Sequence, residues 1–444
     1  MDGRLLPQKK LTSSRIIILG FLGVILLGTA LLMLPVSSRD GSAAPFLDAL
    51  FTSTSAVCVT GLVLHDTASY WSVFGQCVIL TLIQIGGMGV ITVAAAFALI
   101  SGRKISLMQR STMQEAISAP KVGGIVRLTS FIIRTTLLIE LAGAAVMAPV
   151  FYRDFGVKGL WMALFHSISA FCNAGFDLMG TRAPFSSLTG YAGEPVINLV
   201  IMLLIVIGGM GFLTWDDIRS NRLQIRQYRM QSKIILCATA LLLAVPAGYF
   251  FFFDFGALPL KERVLASLFQ AVTPRTAGFN TVELTFLSEA GRYIVMVLML
   301  IGGGPGSTAG GMKTTTVAVL LATAVSTFRR QESAHFFGRR VDDDVVKNAV
   351  TVLMMYVALF FLGGLIISIA DGLPMLTCLF EAASAIGTVG LSLGITPGLG
   401  LVSKLILIAL MFFGRVGGLT LIFAALSGRQ KHVSKFPREK VTVG

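Results

Sequence analysis

LFTSTSAVCVTGL (residues 50–62), LFHSISAFCNAGF (164–176), LFQAVTPRTAGF (268–279) and LFEAASAIGTVGL (379–391) are four copies of one phrase. Each opens on a Leu-Phe pair, runs through small residues and closes on a tetrad that ends in glycine. The tetrads are Cys58-Val59-Thr60-Gly61, Cys172-Asn173-Ala174-Gly175, Arg275-Thr276-Ala277-Gly278 and Gly387-Thr388-Val389-Gly390. Phenylalanine and glycine are ten residues apart in three copies and nine in the third. One unit written four times in one chain predicts four similar parts around a shared axis. Such repeats predict a pore.

The 444 residues are 55% hydrophobic and 13% charged, with a mean hydropathy of +0.81. Soluble domains carry about 25% charged residues, so most of this chain belongs in a bilayer. Apolar runs long enough to cross roughly 30 Å of hydrocarbon fall near Ile16–Leu34, Phe74–Ile100, Leu128–Phe151, Pro195–Phe212, Ile234–Phe255, Tyr293–Phe328, Val345–Ile369 and Leu401–Leu426. The first passes through Leu34-Pro35-Val36 directly into the first phrase, and reads as a retained helix rather than a cleaved leader. Between each pair of runs lies a phrase too short to span, as a re-entrant half-helix would be. The expected fold is an all-α polytopic membrane protein. Its four units, each span–pore helix–span, supply eight transmembrane helices and four half-helices around a pseudo-fourfold ion pore. They cover residues 1–110 with an N-terminal cytoplasmic segment, 111–222, 223–340 with an interrupted second helix, and 341–444 with a cytoplasmic tail.

The net charge of +14 sits in alternate loops. Arg4, Lys9, Lys10 and Arg15 precede the first span. Arg103, Lys104, Arg110, Lys121 and Arg127 follow the second. Arg219, Arg222, Arg226, Arg229 and Lys233 lie after the fourth, Arg329, Arg330, Arg339, Arg340 and Lys347 after the sixth, and Arg429, Lys431, Lys435, Arg438 and Lys440 in the tail. This positive-inside pattern puts both termini and three connecting loops in the cytoplasm. It argues against a nucleic-acid surface, since the basic residues follow the ends of the spans rather than one continuous face. The five cysteines lack CxxC spacing and read as small core residues, neither disulfides nor metal ligands. His166, inside the second phrase, reads as a packed or capping residue.

Lipid cannot satisfy a non-helical backbone, so the tetrads must be enclosed by protein or line a wet cavity. Their carbonyls, freed from helical bonding, are suited to replace the water shell of a cation. A closing glycine permits backbone angles denied to other residues, and the negative ends of the half-helices face the same place. A second glycine cluster follows each tetrad by about 24 to 33 residues: Gly86-Gly87-Met88-Gly89, Gly208-Gly209-Met210-Gly211, Gly302 to Gly311, and Gly414 to Gly418. The first two read as close helix packing. In the third, Gly302-Gly303-Gly304-Pro305-Gly306-Ser307-Thr308-Ala309-Gly310-Gly311-Met312-Lys313 breaks the span and reads as a mobile barrier beneath the tetrads. Arg415 lies mid-span and needs a cavity or a partner, either the carbonyls of that loop or the passing ion. The Arg275 side chain is expected to point behind the tetrads. Glu140 and Glu381 lie at membrane depth, each a candidate partner for an arginine.

With four tetrads, a broken third unit and Arg415 in the fourth, the chain resembles the Trk/Ktr/HKT superfamily of potassium transporters over essentially its whole length, most nearly the Ktr-type membrane subunit. QAVTPRTAGFN (Gln270–Asn280), SAFCNAGF (Ser169–Phe176) and the short tail are the specific matches. Trk-type relatives usually carry two further helices ahead of the first repeat, whereas this sequence starts at the first span. The resemblance implies a selectivity filter at Cys58–Gly61, Cys172–Gly175, Arg275–Gly278 and Gly387–Gly390, a gate at Gly302–Lys313, and a constriction at Arg415. In that superfamily a serine at the first glycine goes with sodium selectivity, so Gly61 implies potassium. It further implies a homodimer in a prokaryotic inner membrane, one pore per chain, on a cytoplasmic ring of nucleotide-binding regulatory subunits. Potassium is then the cargo, held by filter carbonyls alone, with sodium as an activator. No cofactor belongs to this chain, since it has neither a Walker motif nor a GxGxxG after a strand; adenine nucleotide falls to the partner.

A sodium- or proton-coupled secondary potassium transporter is the alternative within transport. Coupling calls for an alternating ionisable site, and the chain shows no evident carboxylate pair. An enzyme would need ligand-spaced His, Asp or Glu near the membrane face. The one acidic run, Asp342-Asp343-Asp344, reads instead as a solvated turn or helix cap.

Overall fold

The computed structural model describes residues 12–100, 105–117, 123–222, 224–418 and 420–421. Arg4, Lys9, Lys10, Arg103, Lys104, Lys121, Arg429, Lys431, Lys435, Arg438, Lys440 and the end of the last apolar run at Leu426 lie outside the described residues. The chain starts with α1 (Ser13–Leu32), α2 (Phe46–Val57), a short α3 (Thr67–Tyr70), α4 (Val73–Met88), α5 (Val90–Ile100) and α6 (Leu107–Ile117). There follow α7 (Ile125–Phe155), α8 (Val157–Phe171), α9 (Pro195–Gly209) and α10 (Phe212–Asn221). Next come α11 (Met230–Tyr249), a π-helical turn (Phe250–Asp254), α12 (Leu260–Val272), α13 (Glu289–Leu300) and α14 (Thr314–Phe328). After a hairpin of His335–Phe336 against Arg339–Arg340, α15 (Asp343–Asp371), α16 (Met375–Gly387) and α17 (Leu401–Val416) complete it.

The four phrases are the helices α2, α8, α12 and α16. Pro45, Pro259 and Pro374 stand at the N-cap of three of them, a place where a missing N–H costs little. The small residues that follow let these helices sink into the protein: Phe51 to Val57 and Phe380 to Gly387 are buried without a gap. Burial all round marks a central helix. The acidic run does begin a helix. Asp342 is the N-cap of α15 and Asp343 and Asp344 lie in its first turn, where the helix dipole favours negative charge.

Packing closes a ring. In three of the sets the two flanking helices embrace the short one, as α1 and α4 do α2, α7 and α9 do α8, and α15 and α17 do α16, while in the third set α12 packs on α11. Between sets, α4 packs on α8, α9 on α12, α13 on α16, and α17 returns to α2. Each set therefore braces the next, and the fourth braces the first.

Ser13–Leu32, Ile125–Phe155, Met230–Asp254 and Asp343–Asp371 are long and apolar enough to cross a membrane, and a third or less of each apolar window is buried. The pair α9–α10, bent by 95°, makes a fifth if counted as one span. The expected single interruption in the third unit is one of several. The second helix of each set breaks, at Gly89, at Met210-Gly211, across residues 301–313 and at Gly417, with φ of 85°, 94° and 88° at the three glycines. A packing role for the first two clusters is thus only half the account. Gly86 and Gly208 do pack closely, since a Cβ on either would collide with the last carbonyl of the neighbouring pore helix, Val57 or Phe171. Gly89 and Gly211 then turn the chain.

Candidate ion pathway

Each pore helix ends in the same way. Cys58 and Cys172 close α2 and α8 in right-handed geometry, and Gly387 is still helical. Cys58, Cys172 and Gly387, the first tetrad residues of three copies, thus sit at the helix end, whereas Arg275 lies in the turn beyond α12. The next residue turns left-handed: φ is 57° at Val59, 58° at Asn173, 65° at Thr276 and 51° at Thr388. Three of these are β-branched, for which that region is strained by on the order of 1–3 kcal/mol. The closing glycines also have positive φ, 89°, 68°, 81° and 93° at Gly61, Gly175, Gly278 and Gly390.

The four glycines meet. A methyl group on Gly61 would lie within 2.8 Å of the Ala174 carbonyl oxygen. The same holds for Gly175 and Ala277, Gly278 and Val389, and Gly390 and Thr60. That order runs through all four copies and back to the first. Carbonyls of Thr60, Ala174, Ala277 and Val389 therefore share one small space, as a dehydrated cation requires. The hydroxyls of Thr60 and Thr388 are buried there without a partner among the described residues. Strained backbone and orphaned oxygens in one place mark a functional centre.

Above the ring a cavity of about 200 Å³ is lined by the four glycines together with Asp66, Asp177 and Asn280. Asp66 caps α3 through the Ala68 and Ser69 amides and accepts the Phe185 N–H at 3.1 Å. Asp177, in the loop beyond α8 and outside the spanning helices, accepts the Met179 N–H at 2.9 Å. Burial pushes its carboxyl up to about 7 against that bond, and the Asp66 charge adds to the rise. Neither acid was singled out by the sequence, in which they are ordinary loop aspartates.

Below the ring lies the interrupted segment. Gly304 donates to Gly209 O at 2.8 Å, Phe212 to Gly306 O at 2.7 Å, and Gly311 to Gly414 O at 3.2 Å. Thr308 Oγ1 donates to Phe171 O at 3.1 Å and Asn173 Oδ1 at 3.0 Å. Lys313 Nζ returns to Ala309 O at 2.7 Å. Arg415 spans three sets, donating to Thr308 O in the loop and to Gly86 O and Gly87 O at the end of α4. The loop carbonyl was an expected partner; the α4 carbonyls were not. Beneath, a cavity of about 280 Å³ is lined by Gly306, Lys313, Arg415, Tyr356 and Glu115.

The side chain of Arg275 is buried against Ile205, Val206, Gly209 and Gly303, and its Nη1 has no partner among the described residues. Among the described residues, neither Glu140 nor Glu381 pairs with an arginine. Glu140 accepts two bonds from Gln84 at 3.0 and 3.1 Å; Glu381 accepts from the Ser392 and Thr396 hydroxyls. His166 donates from Nδ1 to Met162 O and accepts the Leu178 N–H at Nε2, as a capping residue does. Cys58, Cys172 and Cys378 are buried, whereas Cys77 and Cys237 are exposed, and all five are free.

A family model described as TrkH, cation transport protein, matches residues 7–433. The chain belongs to the TrkH family. Among relatives, the potassium/sodium uptake protein NtpJ of Enterococcus hirae is 38% identical, covering 98% of both chains. The Ktr system potassium uptake protein B of Bacillus subtilis is 37% identical, covering 98% of this chain and 97% of its own. The crystal structure of the potassium transporter TrkH from Vibrio parahaemolyticus superposes with a TM-score of 0.74 at 20% identity. It covers 94% of this chain and 86% of that one, and supports the shared TrkH fold. A multi-pass membrane protein for potassium transport follows from this membership.

Proposed function

We propose that this chain is the pore-forming membrane subunit of a potassium uptake system, passing K+ through backbone carbonyls rather than carrying it by alternating access. The observation that supports this best is the cyclic contact of Gly61, Gly175, Gly278 and Gly390 with carbonyls of the neighbouring copies. Four units, 1–110, 111–222, 223–340 and 341–444, each cross the membrane twice, the broken second helices included. Both termini lie in the cytoplasm, following the basic loops. The segment Gly302–Lys313 and Arg415 form the gate, since they lie between the ring and the lower cavity. A homodimer on a cytoplasmic nucleotide-binding partner would control it, with sodium as activator; the Ktr names of relatives are in keeping with a multi-component system.

One observation favours the coupled alternative. Glu140 is a buried carboxylate beside Gln84 and Cys172, at the second tetrad. Uptake of K+ and Na+ by purified protein in vesicles separates the readings. Channel-like flux follows the potassium gradient alone, whereas a coupled transporter accumulates potassium when only a proton or sodium gradient is imposed.

A further inference from the structure

Ser55, Ser169, Thr273 and Ser384 stand five residues after the leucine of their phrases. All four are fully buried. From each, the helix reaches the filter twice. Its backbone carbonyl accepts the N–H of the residue before the glycine: Thr60, Ala174 and Val389 at 2.8 Å, Ala277 at 3.0 Å. Its hydroxyl takes a second backbone group. Ser55 Oγ accepts the Gly61 N–H at 3.1 Å, and Ser384 Oγ the Gly390 N–H at 3.0 Å. Ser169 Oγ donates to Phe176 O at 2.7 Å, and Thr273 Oγ1 to Phe279 O at 2.6 Å.

We propose that these four hydroxyls are positioning residues for ion selectivity, one clasp per pore helix. The inference rests on the filter reading above. A peptide unit is planar and trans, so an N–H pinned toward the helix turns its carbonyl the opposite way. Pinning Gly61 and Gly390 thus aims the Thr60 and Val389 carbonyls inward, at Gly390 and Gly278 of the neighbouring copies. In the second and third copies the clasp instead turns the Phe176 and Phe279 carbonyls back toward the helix, and out of the ring. The four ring carbonyls of Thr60, Ala174, Ala277 and Val389 are thus held by clasps of two kinds, one on the N–H of the closing glycine and one on the carbonyl that follows it. The left-handed backbone at Val59, Asn173, Thr276 and Thr388 needs such restraint to persist. Discrimination against a smaller cation is lost when the cage is free to shrink around it, so the clasps act on sodium more than on potassium.

The test is competitive uptake of Rb+ and Na+ by purified full-length protein in vesicles, comparing wild type with Ser55→Ala, Ser384→Ala, Ser55→Thr and Ser53→Ala. Ser53 sits in the same helix, but its hydroxyl bonds Ile25 O at 2.7 Å in the neighbouring helix, away from the filter. Loss of one net hydrogen bond predicts a fall of roughly three- to tenfold in the Rb+/Na+ ratio for Ser55→Ala and Ser384→Ala. Ser55→Thr, which keeps the hydroxyl, should restore the ratio, and Ser53→Ala should leave it at the wild-type value. Ratios unchanged in both serine variants, or shifted equally by Ser53→Ala, overturn the proposal. If Ser55→Ala does not fold, Ser384→Ala and Ser55→Thr carry the same decision. A wild type without preference for Rb+ sinks the filter reading itself, a different outcome from a selective wild type with selective variants.

Discussion

Gly61 shows what a single side chain costs in this architecture. With φ at 89° and a Cβ position 2.5 Å from the Ala174 carbonyl, any substitution must displace backbone in the neighbouring copy. Gly61→Ser is therefore expected to lower K+ over Na+ selectivity about tenfold or more in flux assays, while the protein still folds; unaltered selectivity would refute the filter assignment. Asp177 acts at longer range. Its carboxyl is neutral below about 7 and charged above it, and a negative mouth concentrates cations. Uptake should thus fall as the external pH drops through 7, and Asp177→Asn should flatten that dependence. An identical pH profile in the variant would remove Asp177 from the pathway. Such residues differ in how readable they were. The four glycines announce themselves by recurrence, whereas nothing local distinguishes Asp177 from Asp154 or Asp371; only the fold carries it to the vestibule.

At the scale of elements, the segment Gly302–Lys313 is a broken helix tied to its surroundings through Gly304, Gly306, Thr308 and Gly311. Its Gly and Pro content made the break legible, because no continuous helix survives it. The breaks at Gly89, Gly211 and Gly417 were not legible. A single glycine in an apolar run is tolerated inside a helix, and its turn at positive φ depends on what lies beneath the pore helices. Arg415 was visible as a charge out of place, and one of its acceptors, Thr308 O, was expected. Gly86 O and Gly87 O come from a helix more than 300 residues away. These bonds tie the loop to α4, so Arg415→Ala should raise basal potassium flux severalfold without any partner. Removal of Ser307–Ala309 should do the same. Unchanged flux in Arg415→Ala, or its loss with the fold intact after the deletion, would exclude a barrier role.

For the whole molecule, the succession α4 on α8, α9 on α12, α13 on α16 and α17 on α2 turns a linear repeat into a closed ring. Recurrence of the phrase led to the expectation of four like parts, because equal sequences bury equal faces, and the helical packing closes on itself from the fourth phrase to the first. It did not foretell two inequalities among the parts: clasps of two kinds, and a buried arginine in the third copy whose Nη1 has no partner among the described residues. Soaking crystals of the full chain with Tl+ or Rb+ and locating the ion by anomalous scattering tests convergence most directly. A single peak ringed by the Thr60, Ala174, Ala277 and Val389 carbonyls is the predicted result. Density confined to other sites, with that ring empty at saturating ion, would contradict it.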